Sequence, residues 1–117
     1  MDKQQMRVRT KRFAIDIINL CKDLPKTEEH WMISRQLMRS GSSVGANYRA
    51  SLRGRSKAEF IAKLGIVEEE ADESQFFPEL LEEFGGSDES ERARLWQEAD
   101  EILAIIVSTI KSTRGHK

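Results

Sequence analysis

In 117 residues the chain holds one cysteine, two histidines, two prolines and a single tyrosine. Each scarcity removes a class of explanation. A lone Cys21 makes no internal disulfide, and its place on an apolar helical stripe reads as a buried thiol rather than a reactive one. His30 and His116 stand at no ligand spacing to any acid, so both read as surface histidines and no metal ligand set is expected from them. With His30 alone outside the tail, no Ser-His-Asp or Cys-His set assembles, which argues against hydrolytic and acyl-transfer chemistry and points to a non-enzyme. No apolar run nears the ~20 residues of a spanning helix, and Met1-Asp2-Lys3-Gln4-Gln5 lacks a signal peptide's apolar core. A cytoplasmic location is expected. No period-two alternation of usable length occurs, so no strands are expected.

Hydrophobic residues at 38% and charged residues at 33% suit one globular domain over 1–117, large enough for a core without disulfide or metal. The apolar residues recur at steps of three and four, the mark of amphipathic helices. Phe13, Ile17, Leu20 and Leu24, flanked by Ala14, Ile18 and Cys21, predict a helix over 6–24 that Pro25 ends. Thr27 as N-cap opens a second over 27–53, with Trp31, Ile33, Leu37, Val44, Tyr48 and Leu52 as its stripe. Ser56-Lys57-Ala58-Glu59 reads as a capping box for a third over 56–84, where Phe60, Leu64, Val67, Ala71, Leu80, Leu81 and Phe84 turn inward. Pro78 predicts a kink or a break there. Gly85-Gly86 closes it, and Ser87 or Ser90 caps a fourth over 88–113 with Leu95, Ala99, Ile102, Leu103, Ile106 and Ile110 inward. Short connectors return each helix antiparallel, so the expected fold is all-α, an antiparallel up-down-up-down four-helix bundle.

Net charge is only −1, yet residues 1–64 hold 14 basic against 6 acidic side chains and residues 65–117 hold 5 against 14. Such asymmetry fits a basic face for nucleic acid, or a basic hairpin packed on an acidic one within the domain or across subunits. Antiparallel layout gathers Arg7, Arg9 and Lys11 of the first helix with Arg49, Arg53, Arg55 and Lys57 of the second turn at one end, a candidate phosphate-binding surface. No helix-turn-helix, zinc-finger or stacking-aromatic pattern supports base reading. The same alignment levels Arg12, Arg39, Asp72, Glu73, Asp100 and Glu101, with Glu68, Glu69 and Glu70 one turn away. That layer reads as an ion network fixing helix register, with a carboxylate-only Mg or Mn site or plain solvated faces as alternatives.

Ser40-Gly41-Ser42-Ser43-Val44-Gly45-Ala46-Asn47 is a run of small residues inside a helix. Each glycine there costs about 1 kcal/mol of helix stability relative to alanine, so Gly41, Gly45 and Asn47 suggest close approach of a neighbouring helix. A phosphate cradle would need free N–H groups at a helix start, and mid-helix N–H groups are already bonded.

The stretch Gln36-Leu37-Met38-Arg39-Ser40-Gly41-Ser42-Ser43-Val44-Gly45-Ala46-Asn47-Tyr48-Arg49, with Ser56 to Phe60, Glu68-Glu69-Glu70-Ala71-Asp72-Glu73-Ser74 and Glu98-Ala99-Asp100-Glu101, resembles a four-helix bundle protein family. Its members include proteins encoded in intervening sequences of bacterial large-subunit ribosomal RNA genes. More distantly, the chain is similar to the accessory variability determinant proteins of diversity-generating retroelements. The resemblance implies a homo-oligomeric ring, commonly a pentamer, with no known catalytic activity. The expected function is a non-enzymatic oligomeric scaffold without cofactor, whose basic end contacts RNA or a nucleic-acid-associated protein. A pure protein assembly or accessory module is the other reading. Exposed aromatics such as Trp31 or Trp96 would serve subunit contacts. Pro78 and the acidic second half depart from the relatives' pattern.

Overall fold

A computed structural model describes residues 1–115, so His116 lies outside the described residues. Four helices run in order: α1 (Lys3–Lys22), α2 (Glu28–Ser51), α3 (Lys57–Phe84) and α4 (Glu89–Gly115). Each packs on the next and α4 returns to α1, giving an antiparallel four-helix bundle 50 Å long and 21 Å across.

Helix starts follow from side chains that take up orphan backbone N–H groups. Asp2 accepts from Gln5 N at 2.7 Å while Gln5 Oε1 accepts from Asp2 N at 2.9 Å, a capping box that starts α1 three residues before the predicted point. Thr27 caps α2 as expected, its hydroxyl accepting from His30 N at 3.2 Å. Ser56 caps α3, but the Glu59 carboxylate takes the N–H of Arg55 instead of closing the box on the cap. For α4 the cap is neither Ser87 nor Ser90: Asp88 Oδ1 accepts from Glu91 N at 2.9 Å. An aspartate places a full charge at the positive end of the helix dipole, which a serine does not.

The predicted break at Pro78 does not occur, and α3 runs through it unbroken. Pro78 is buried on the core side, where packing offsets the lost bond to the Ser74 carbonyl. The centre of the bundle is Phe13 and Ile17 of α1, Ile33 and Leu37 of α2, Leu64 and Leu81 of α3, and Leu95, Ile102 and Ile106 of α4, none more than 1% exposed. Burying each such side chain contributes about 1.5–3 kcal/mol. Trp31 and Phe84, expected inward, are instead 60% and 54% exposed, and Ile18 is also exposed.

Close approach of α1 to α2 is written in two glycines. A Cβ on Gly41 would sit 2.9 Å from Ile17 Cγ2, and one on Gly45 would sit 3.3 Å from the Thr10 backbone. Asn47 takes no part in that contact: its Nδ2 donates to Ser43 O at 2.9 Å, one turn back in its own helix.

Candidate nucleic-acid interface

One end of the bundle is formed by the start of α1, the α2–α3 turn and the end of α4. It carries Lys3, Arg7, Arg49, Arg53, Arg55, Lys57, Lys63, Lys111 and Arg114. The two acids near the helix starts there, Asp2 and Glu59, are each turned to backbone N–H groups by capping. Arg7, Lys11, Arg49, Arg53 and Arg55 are exposed, and among the described residues none has a carboxylate within ion-pair distance. Lys3 stands 5.7 Å from the Phe60 ring centroid, which ties the first turn of α1 to the first turn of α3.

Below this rim, Arg7, Lys11 and Arg49 line a groove of about 430 Å³ between α1 and α2, with Val8, Ala14 and Gly45 among its other walls. The glycine keeps the two helices close, so the basic side chains of both reach the same channel. Arg9 is the exception among the predicted basic residues. Its Nε and Nη2 each lie 2.7 Å from a Glu98 oxygen, and Nη2 also lies 2.9 Å from Glu101 Oε1, a bidentate clamp across the α1–α4 seam. The hydrogen bond to Glu98, foremost, raises the guanidinium's pKa further and leaves Arg9 engaged inside the protein.

The predicted single layer of Arg12, Arg39, Asp72, Glu73, Asp100 and Glu101 divides into separate pairs. Arg39 bridges α2 to α3 through Glu70 at 3.0 Å and Glu73 at 2.5 Å. Arg12 turns to Asp16 on its own helix at 3.0 Å, and Asp16 also receives Arg94 of α4 at 3.0 Å. Asp72 is exposed and Asp100 accepts from Gln75 Nε2 at 3.1 Å. Levels match, but faces do not: residues at one height on different helices point up to half a turn apart. No cluster of three or more metal-type ligands exists among the described residues.

His30, expected at the surface, is 7% exposed. Its Nε2 lies 2.7 Å from Gly85 O and its Nδ1 2.7 Å from Thr27 Oγ1. A carbonyl only accepts, so Nε2 carries the proton and donates, and the ring joins the α2 start to the α3 end. Gly85 and Gly86 have φ of 71° and 86°, the left-handed turn that brings this carbonyl to the ring. Cys21 is buried as expected, and desolvation pushes its thiol up to about 11.

A profile described as 23S rRNA-intervening sequence protein matches residues 2–108. Among solved structures, a Bacteroides thetaiotaomicron protein with unknown function from the S23 ribosomal protein family is 32% identical. The match has a TM-score of 0.86 and covers 95% of this chain and 99% of that one. No curated protein sequence matches. No helix among the described residues is long and apolar enough to cross a membrane.

Proposed function

This chain belongs to the 23S rRNA-intervening sequence protein family, and from that premise we propose that it is a non-enzymatic, oligomeric helical scaffold whose basic end holds the phosphate backbone of RNA. One observation carries the reading. Of the seven predicted basic contacts, Arg9 is held by carboxylates, while Arg7, Lys11, Arg49, Arg53 and Arg55 are exposed and without an acidic partner among the described residues. The cations at the helix seams are by contrast paired, as Arg9, Arg39 and Arg94 are. A row of exposed cations on a rigid end attracts a polyanion through counterion release, without reading its sequence. The setting is the cytoplasm, where ribosomal RNA is.

Fluorescence anisotropy with a short single-stranded RNA tests it. Arg53→Glu with Arg55→Glu is expected to weaken binding at least tenfold at 0.1 M salt, while Arg9→Met leaves affinity within a factor of two. Equal losses from both variants, or wild-type protein that binds no RNA at low salt, would refute the reading.

A further inference from the structure

Two exposed faces of the bundle combine apolar side chains with bordering charge of opposite sign. The first is the outer groove between α1 and α2. Val8, Ile15 and Ile18 of α1 are 59%, 39% and 39% exposed, and Trp31 of α2 is 60% exposed. Ile18, Trp31 and the half-buried Met38 line a groove of about 320 Å³ there. Its borders are cationic: Lys11, Lys22 and Arg35 are exposed, and the Arg35 guanidinium stands 5.5 Å from the Trp31 ring centroid. From position 30 to position 58 the chain has no Asp or Glu at all.

The second face is the outer side of α3. Ile66, Phe76 and Phe84 are 38%, 52% and 54% exposed, at spacings that keep them on one side of the helix. Glu69, Asp72 and Glu83 are exposed around them. From position 64 to position 91 the chain has no Lys or Arg. Single exposed apolar residues need no explanation, but two aligned apolar stripes, each bordered by charge of one opposite sign, do.

We propose that the acidic, aromatic face of α3 in one copy of this chain docks into the basic α1–α2 groove of the next, a head-to-tail contact. The proposal rests on the scaffold reading above and names its contact surfaces. A second copy is the occupant because one chain supplies both halves: apolar residues meet apolar residues, and each bordering cation meets an anion. The two surfaces are different patches, so the contact is heterologous, and repetition closes a ring or extends a filament. Their levels agree as well. Ile18, Trp31 and Met38 lie in the half of the bundle nearer the α1–α2 turn, and Phe76 and Phe84 lie in that same half, nearer the α3–α4 turn. A rotation about an axis parallel to the bundle therefore brings them together without an end-to-end shift. Every copy then points its Arg53 and Arg55 end to the same side, and the basic ends form one multivalent rim.

Size-exclusion chromatography with light scattering tests this on the full chain at 0.1 M salt. Trp31→Asp spoils only the groove and Phe76→Asp only the α3 face; both residues are mostly exposed, so the core is untouched. Wild type is expected to be an assembly, each variant a monomer, and an equimolar mixture of the two variants a species of twice the chain mass. That dimer arises because the mixture retains one intact face of each kind. Ile18→Asp with Phe84→Asp forms a second pair read the same way, which keeps the test decisive where a variant loses its helical circular dichroism. Phe76→Asp that still assembles, or a mixture that stays monomeric, overturns the pairing of faces while leaving the scaffold reading standing. Monomeric wild type overturns both.

Discussion

Gly41 and Gly65 are both glycines inside long helices, and replacing each by alanine is expected to move stability in opposite directions. In a helix interior alanine is better than glycine by about 1 kcal/mol, because glycine loses more backbone freedom on folding. At Gly65 nothing lies within 4 Å of the added Cβ, so the gain is expected nearly whole. At Gly41 the Cβ falls 2.9 Å, 3.0 Å and 3.2 Å from three carbons of Ile17, a side chain with no exposed surface. These atoms are next to the α1 backbone, not the tip of a flexible chain, so α1 and α2 must separate. Overpacking of this kind costs about 1–3 kcal/mol. Set against the propensity gain, Gly41→Ala should be destabilising by up to ~2 kcal/mol, and the two variants should differ by about 1–3 kcal/mol. In thermal unfolding followed by circular dichroism, at one fixed protein concentration, that difference corresponds to roughly 4–12 °C at about 4 °C per kcal/mol. Gly41→Ala that stabilises as much as Gly65→Ala would refute the close-approach argument.

Four further outcomes are expected. His30→Ala leaves the part-buried Gly85 carbonyl without its donor and should cost about 1 kcal/mol in urea unfolding; a neutral result contradicts the bridge from His30 to Gly85. Arg9→Met removes a largely covered bidentate pair, and after allowance for its remaining exposure should cost about 1 kcal/mol at neutral pH. Hydrogen bonding from Arg94 holds the Glu91 carboxyl below its usual range. A depressed folded pKa contributes stability that is present above the ordinary glutamate value of about 4.3 and lost as pH falls through the lower folded value, so Glu91→Gln should flatten the loss of stability between pH 5 and 3. With its thiol pushed up to about 11, native Cys21 should react with a maleimide at pH 8 at least 100-fold more slowly than in the urea-unfolded chain; equal rates would show that the thiol is open to solvent.

The helices were legible in the sequence because three-and-four spacing and capping residues are local signals. Thr27 and Ser56 cap as read, and the family resemblance on 36–49 is matched by the profile over 2–108. What was not legible depends on contacts between distant segments. His30 is buried because a glycine turn 55 positions later brings a carbonyl to its ring. Neighbouring residues carry no sign of that. Of the expected ion layer the Arg39–Glu73 pair forms, while Arg12 turns to Asp16 and Glu101 to Arg9, because counting residues from the turns gives height along the bundle, whereas pairing also needs the rotation of each helix. Nothing near Arg9 in the sequence marks it as paired, because Glu98 and Glu101 lie on the helix farthest from it along the chain. Trp31 and Phe84 fit an apolar stripe at the level of spacing, yet each sits at its edge, on the outer faces that α1 with α2 and α3 present.

The salt dependence of RNA affinity bears most directly on the claim that the basic end holds a phosphate backbone. Five exposed cationic side chains on and just below that end, Arg7, Lys11, Arg49, Arg53 and Arg55, give an expected slope of log affinity against log salt of about −3.5 per chain on single-stranded RNA, at roughly −0.7 per contact. Arg53→Glu with Arg55→Glu should bring it to about −2. A wild-type slope near zero would contradict the claim.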